Sequence, residues 1–274
     1  MHMIEVKDLT MKYPNGKGVF DVDFVVGKGQ AIGFLGPNGA GKTTTIRCIL
    51  GFMRGQKGTC HIDGKECFTN APENMKSVGF IAGEPAFPGG MTGIEYLNLL
   101  CEIRGTKDKR RMHELIEYFE FEPKRKIKEM SKGMKQKTAI VAAFMHDPEI
   151  LILDEPSSGL DPLMQNRFVE LLLNSKIRGK TILMSSHMFD EVEKTCEHII
   201  IIKDGKLVAR DSVKNLKKLQ AMTFIVNGEH HKVPYTDVDK FIKKIAKTKV
   251  DSISIQEPTL ENIFLDLYKE EGKK

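Results

Sequence analysis

Apolar positions follow two rhythms along this chain. Near the start they alternate or cluster in short runs, at residues 3–6, 18–26 and 31–35, and predict strands. Pro14-Asn15-Gly16 is a hairpin turn signal between the first two. The third run gives way to a glycine-rich segment and then to a helical stretch, 44–50. Residues 58–62, followed by the turn Asp63-Gly64-Lys65, and residues 77–81 predict further strands. From 93 to 129 the rhythm turns helical and charge-rich, with helices expected over 95–103 and 107–119. Strands at 149–153 and 180–185 then alternate with helices at 165–174 and 188–195. A hairpin follows, with 199–202 and 207–209 flanking Lys203-Asp204-Gly205. Such alternation predicts an α/β fold with a mostly parallel sheet covered by helices.

Composition shifts again beyond residue 210. Residues 211–220 read as a basic amphipathic helix or linker. Beyond lie an expected strand (222–226), a basic helix (237–247), a strand (250–255) and a helix (260–269), which together suit a small α+β appendix. The basic helix is most simply a solvated face, with dimer contact or anionic-lipid contact as lesser alternatives.

The glycine-rich segment carries the chemistry. Gly36-Pro37-Asn38-Gly39-Ala40-Gly41-Lys42-Thr43 matches G-x-x-x-x-G-K-[ST] and lies between a strand and a helix, as a phosphate-binding loop requires. Its glycines let the backbone approach phosphate, and the helix N-terminus adds partial positive charge. Lys42 brings a full charge to the outer phosphates, and the Thr43 hydroxyl is placed to ligate Mg²⁺. Asp154 and Glu155 end the aliphatic strand 149–153, and ligands lie off the carboxyl ends of such strands. Asp154 is thus a Mg²⁺ candidate, and Glu155 a candidate to polarise an attacking water. The plainer account, an acidic pair capping a strand before Pro156, loses ground once the upstream loop is considered. His187, at the end of another apolar strand, suits a phosphate sensor, although a lone histidine is more often just exposed. Ser131 is the expected N-cap of a helix running into 138–145. A second glycine-bearing helix start has no evident use in one subunit, but a head-to-tail pair would use both.

In this order, 36–43, 131–136, 151–155, Gly159-Leu160-Asp161 and His187 resemble the Walker A, signature, Walker B, D-loop and H-loop of ATP-binding cassette (ABC) ATPases. The resemblance covers about residues 3–215. It implies a P-loop NTPase core with an antiparallel β subdomain and a helical insertion. The ATPase domain would span 1–215 with its helical subdomain at about 85–136, and an accessory α+β domain 216–274. The resemblance also implies roles. Tyr13 would stack on adenine. Gly36, Pro37, Asn38, Gly39, Ala40, Gly41, Lys42, Thr43 and Thr44 would cradle the phosphates of ATP. Thr43 and Asp154 would hold Mg²⁺, Glu155 would act as general base, and His187 as the switch histidine. Ser131 and Gly133 would contact the γ-phosphate bound to a second ATPase subunit, and Asp161 would link the two sites. Two departures stand out. The signature reads Met-Ser-Lys-Gly-Met, and the family's Q-loop glutamine falls at Gly83, with Glu84 beside it as a candidate substitute. The segment Glu257-Pro258-Thr259-Leu260-Glu261-Asn262-Ile263-Phe264-Leu265 is similar to the tail of ABC-2-type exporter ATPases, whose membrane spans belong to a separate permease chain.

Composition agrees with that picture. The 274 residues are 41% hydrophobic and 29% charged, and no aliphatic run approaches a bilayer span. The first residues carry no secretory leader pattern. Five scattered cysteines without a C-x-x-C pair argue for reduced thiols and against zinc. His230-His231 reads as surface. The expected location is cytoplasmic, peripheral on the inner face of the cell membrane. The net charge of +5 is mild and no basic–aromatic platform is evident, so no nucleic-acid partner is expected. Two rivals stay open: an ABC ATPase acting on ribosomes or DNA, and a regulatory module that holds ATP without hydrolysing it.

Overall fold

The computed structural model of the protein describes residues 2–218, 221–256 and 258–270. Leu219 and Gln220 in the expected basic segment, Glu257 in the tail motif, Met1 and residues 271–274 lie outside the described residues.

Strand β1 (His2–Lys12) and strand β2 (Gly18–Gly27) form a hairpin closed where the Tyr13 N–H donates to the Lys17 carbonyl at 2.8 Å. β1 is longer than the expected 3–6 because it keeps pairing through an irregularity next to Asp8, whose φ is 48°. Strand β3 (Ala31–Leu35) runs through the glycine-rich loop into helix α1 (Lys42–Ile49). Strands β4 (Lys57–Ile62) and β5 (Lys65–Glu66) turn at Asp63-Gly64. Helix α2 (Ala71–Ser77), which the polar spacing of its sequence does not signal, precedes strand β6 (Val78–Ile81).

Two helices, α3 (Gly93–Arg104) and α4 (Arg110–Tyr118), fill the charge-rich stretch. α3 starts with a capping box: the Glu95 N–H donates to the Thr92 hydroxyl and the Thr92 N–H to the Glu95 carboxylate. Helix α5 (Lys132–Phe144) leads to strand β7 (Ile150–Asp154), helix α6 (Pro162–Ile177), strand β8 (Thr181–Ser185), helix α7 (Phe189–Thr195), strand β9 (His198–Lys203) and strand β10 (Lys206–Ser212). The central sheet has the order β10-β9-β3-β8-β7-β6, parallel except for β10. A second, antiparallel sheet has the order β2-β1-β4-β5.

The central sheet is covered on both faces. In β7, Leu151 and Leu153 face the helices α3 to α6, while Ile150 and Ile152 face α1 and the antiparallel sheet. This explains why β7 reads as unbroken aliphatics. Each of these side chains contributes about 1.5–3 kcal/mol by leaving water. All five cysteines are buried and free.

The last part begins at helix α8 (Val213–Lys218); residues 211 and 212 of the expected basic segment instead end β10. Strands β11 (Ala221–Val226), β12 (Glu229–Pro234) and β13 (Ile253–Gln256) form an antiparallel sheet of order β12-β11-β13. Helix α9 (Val238–Ile245) packs Phe241 on Phe224 of that sheet. β12 was not expected. It has no apolar run and is held by ladder pairing to β11. His230 is exposed, as read from sequence, whereas His231 is half-buried against Phe241. Helix α10 (Leu260–Glu270) returns to the main core, where Leu260 and Ile263 are buried and Phe264 meets Phe189.

Candidate active site

In the central sheet β3, β8 and β7 are neighbours, so the loops leaving their carboxyl ends converge. They border a cleft of about 1230 Å³ whose walls include Tyr13, Arg47, Phe52, Lys42, Thr43, Asp154, Glu155 and His187.

The loop after β3 is shaped by two glycines. A Cβ on Gly36 would lie 2.5 Å from the Ile202 carbonyl oxygen. Gly41 has φ 113°, and a Cβ there would lie 2.6 Å from Val19 Cγ1. Ala40 is buried, and its carbonyl accepts from the Gly205 N–H at 2.9 Å, which pins the loop to the β9–β10 turn. Pro37, Asn38 and Gly39 stay exposed in the cleft wall. No side chain caps α1, and its first residues Lys42, Thr43 and Thr44 line the cleft, so this helix start suits an anion. Lys42 is buried, and its Nζ donates to the carbonyls of Gly36 at 2.5 Å and Pro37 at 3.3 Å. The ammonium therefore stands within the loop it serves.

The acidic pair meets this loop directly. The Thr43 hydroxyl donates to Asp154 Oδ2 at 2.7 Å, and the Ser185 hydroxyl donates to Oδ1. A hydroxyl and a carboxylate oriented in this way form a hard-oxygen donor pair that fits Mg²⁺ sharing phosphate oxygens. Glu155 has φ 49°, a left-handed conformation held because its N–H donates to the Ser185 carbonyl at 3.0 Å. Its Oε2 pairs with His187 Nδ1 and accepts from the His187 N–H at 3.3 Å. Its Oε1 lies 3.8 Å from Lys42 Nζ, is buried, and has no hydrogen-bond donor. A buried carboxylate oxygen of this kind is a ready acceptor for water.

Tyr13 is half-buried at one end of the cleft, its hydroxyl 3.3 Å from Thr44 Oγ1. Gly83 and Glu84 line the wall beside Asp154. Ser131, Gly133 and Asp161 do not line the cleft. Ser131 is the N-cap of α5, accepting from the Met134 N–H at 3.2 Å, and Asp161 is the N-cap of α6, accepting from the Met164 N–H at 3.0 Å. A Cβ on Gly133 would lie 2.9 Å from the Gly159 carbonyl oxygen, so the start of α5 is docked closely on the loop after β7.

Sequence reasoning missed several contributors. Ser185 orients Asp154 from a strand end that reads only as apolar. Buried Gln136 donates to the Pro156 carbonyl at 2.5 Å and ties α5 to the acidic loop. Lys132, in the second position of the signature-like run, reaches Ser158 Oγ at 3.0 Å and lines the cleft. Its place beside Ser131 was the available signal.

Comparison with known proteins bears on this geometry. Residues 19–158 match the family model described as ABC transporter. The chain is 38% identical over 219 residues to the bacitracin transport ATP-binding protein BcrA of Bacillus licheniformis, covering 79% of this chain and 72% of that one. A solved structure described as the ATP binding subunit of an ABC transporter superposes with a TM-score of 0.77 at 28% identity, covering 97% of this chain and 100% of that one. A dimeric ATP-binding cassette in a post-hydrolysis state, bound to ADP and Pi, gives a TM-score of 0.68 at 24% identity over 77% of this chain and 99% of that one, a likeness of fold.

Proposed function

Because the chain belongs to the ABC transporter family and is an ATPase, we propose that it powers export through a separate membrane-spanning partner. No helix among the described residues is long and apolar enough to cross a membrane. BcrA, by its name, serves bacitracin transport; the exporter-like tail segment supports export as the direction here. On this reading the chain sits on the inner face of the cell membrane. Residues 1–215 form the ATPase unit and 216–274 an accessory unit.

The observation that carries hydrolysis is the buried, donor-free Glu155 Oε1 beside Lys42. Glu155 orients the attacking water through that oxygen while His187 holds the other. Lys42 and the α1 amides stabilise charge on the departing phosphate oxygens. Thr43 and Asp154 would hold Mg²⁺, which would supply neutralisation of phosphate charge. Tyr13, in the cleft wall, would stack on adenine.

Ser131, Gly133 and Asp161 do not line the cleft of their own chain, which supports a second copy of the chain as the source of these groups at each site. The test is Glu155→Gln. This variant is expected to bind ATP, to lose phosphate release, and to run as a dimer in size-exclusion chromatography with light scattering. Monomer in saturating ATP counts against the paired arrangement. Association with ribosomes rather than membranes after cell fractionation counts against export.

A further inference from the structure

One buried carboxylate next to the site has no part in the chemistry above. Glu191 lies in the first turn of α7 and is 4% exposed. Its Oε2 accepts from Ser157 Oγ at 2.9 Å and from Ser186 Oγ at 3.0 Å. These serines belong to different loops: Ser157 follows Glu155 by two residues after β7, and Ser186 immediately precedes His187 after β8. Ser186 Oγ also accepts from the Met188 N–H at 3.0 Å, so this hydroxyl fastens the chain on both sides of His187. The other oxygen, Oε1, is buried without a donor. Compensation for burying this carboxylate therefore falls on the two serine hydroxyls.

We propose that Glu191 is a positioning residue for hydrolysis, clamping the Glu155 loop to the His187 loop beneath the cleft and keeping the imidazole on the carboxylate. The inference rests on Glu155 as the residue that orients water. Burial raises the Glu191 pKa above the ordinary carboxylate value, and the nearby Glu155 carboxylate pushes in the same direction. The hydrogen bonds of the clamp go to Ser157 and Ser186 and not to the phosphate-binding loop, so its loss separates turnover from nucleotide binding.

The test uses the full chain, a fluorescent ATP analogue for binding and steady-state phosphate release for turnover. Glu191→Ala removes the oxygen that accepts from both serines. Its kcat is expected to fall at least about tenfold, since a misplacement near 1 Å costs up to roughly a hundredfold. Its analogue Kd and its KM for ATP are expected to stay within about twofold of the parent values. Glu191→Gln keeps an amide oxygen able to accept from both serines, and is expected to hold kcat within about threefold. Ser157→Ala and Ser186→Ala each cut one tie to Glu191, the latter also losing the Met188 N–H bond, and fall between. Adding Ser157→Ala to Glu191→Ala lowers kcat no further if the pair acts as one unit. Unchanged kcat in Glu191→Ala, a parallel rise in KM, or Glu191→Gln as damaging as Glu191→Ala overturns the proposal. Should Glu191→Ala fail to fold, parent-like kcat in both serine variants overturns it. Full turnover in Glu155→Gln removes the underlying reading instead. An inactive Glu155→Gln beside a fully active Glu191→Ala removes only the clamp.

Discussion

Gly83→Gln separates steric room from chemistry at one wall of the cleft. A Cβ at Gly83 lies 3.5 Å from Asp154 Oδ2, 3.6 Å from its Cγ and 3.7 Å from its carbonyl oxygen, all ordinary contacts. Gly83 is not among the glycines with positive φ, so an L side chain enters without backbone strain. Restricting the unfolded chain at such a position stabilises the fold by roughly 0.4–1 kcal/mol. The new amide starts beside the Thr43–Asp154 pair, where one well-made hydrogen bond contributes about 0.5–1.5 kcal/mol. Expressed in the transition state, that is about two- to twelvefold in kcat. Basal phosphate release by the full chain is expected to rise by such a factor, with a thermal midpoint equal to or slightly above the parent's. Glu84→Ala tests the exposed neighbour as the acting group. Unchanged turnover in Gly83→Gln, with a folded protein, refutes the idea that a side chain here acts on hydrolysis. A clear drop in Tm refutes the steric reasoning.

Three more outcomes follow from the same geometry. Lys42→Ala removes charge-assisted bonds to phosphate worth about 1.5–3 kcal/mol, so affinity for a fluorescent ATP analogue is expected to fall roughly ten- to a hundredfold; titration at constant salt checks this. His146 has its pKa lowered to about 4, chiefly by burial and then by nearby Arg104. Below the ordinary histidine value of 6.5 the unfolded chain takes up a proton that the folded chain refuses, so this residue's share of stability is lost as pH falls towards 4. Urea unfolding at pH 7 and pH 5 is expected to show a smaller difference in His146→Asn than in the parent. Burial pushes Cys48 up to about 11 and Cys67 and Cys196 up to about 12, so iodoacetamide at pH 8 is expected to label the native chain slowly and the urea-unfolded chain quickly. Rapid native labelling refutes that burial.

What the sequence disclosed tracks how local each signal is. The glycine-rich loop and the acidic strand end each occupy a few consecutive residues, and they meet at Thr43–Asp154 because β3 and β7 run parallel in one sheet with only β8 between them. The missed strand β12 was legible in principle. Asn227 and Gly228 both have positive φ and close a two-residue hairpin, the turn chemistry that dipeptide favours, but the polar residues on its far side hid the strand. Glu191 was not legible by any local rule. In sequence it is one acid in Asp190-Glu191-Val192-Glu193, on a helix of seven residues, and nothing marks it as buried while Asp190 is exposed. Its significance comes from contacts with Ser157, 34 residues away, and Ser186, on a separate strand end. Pairings across loops are set by sheet order, and sheet order is the step that residue-by-residue reading reaches last. The same reasoning explains Ser131 and Asp161. Both stand out by pattern, and both serve as helix caps outside the cleft lining. A cap that satisfies its own helix carries no trace in sequence of a second duty. That duty exists only if another copy of the chain presents its cleft to the same surface, so the dimer measurement on Glu155→Gln bears on these two residues more directly than their own substitution does.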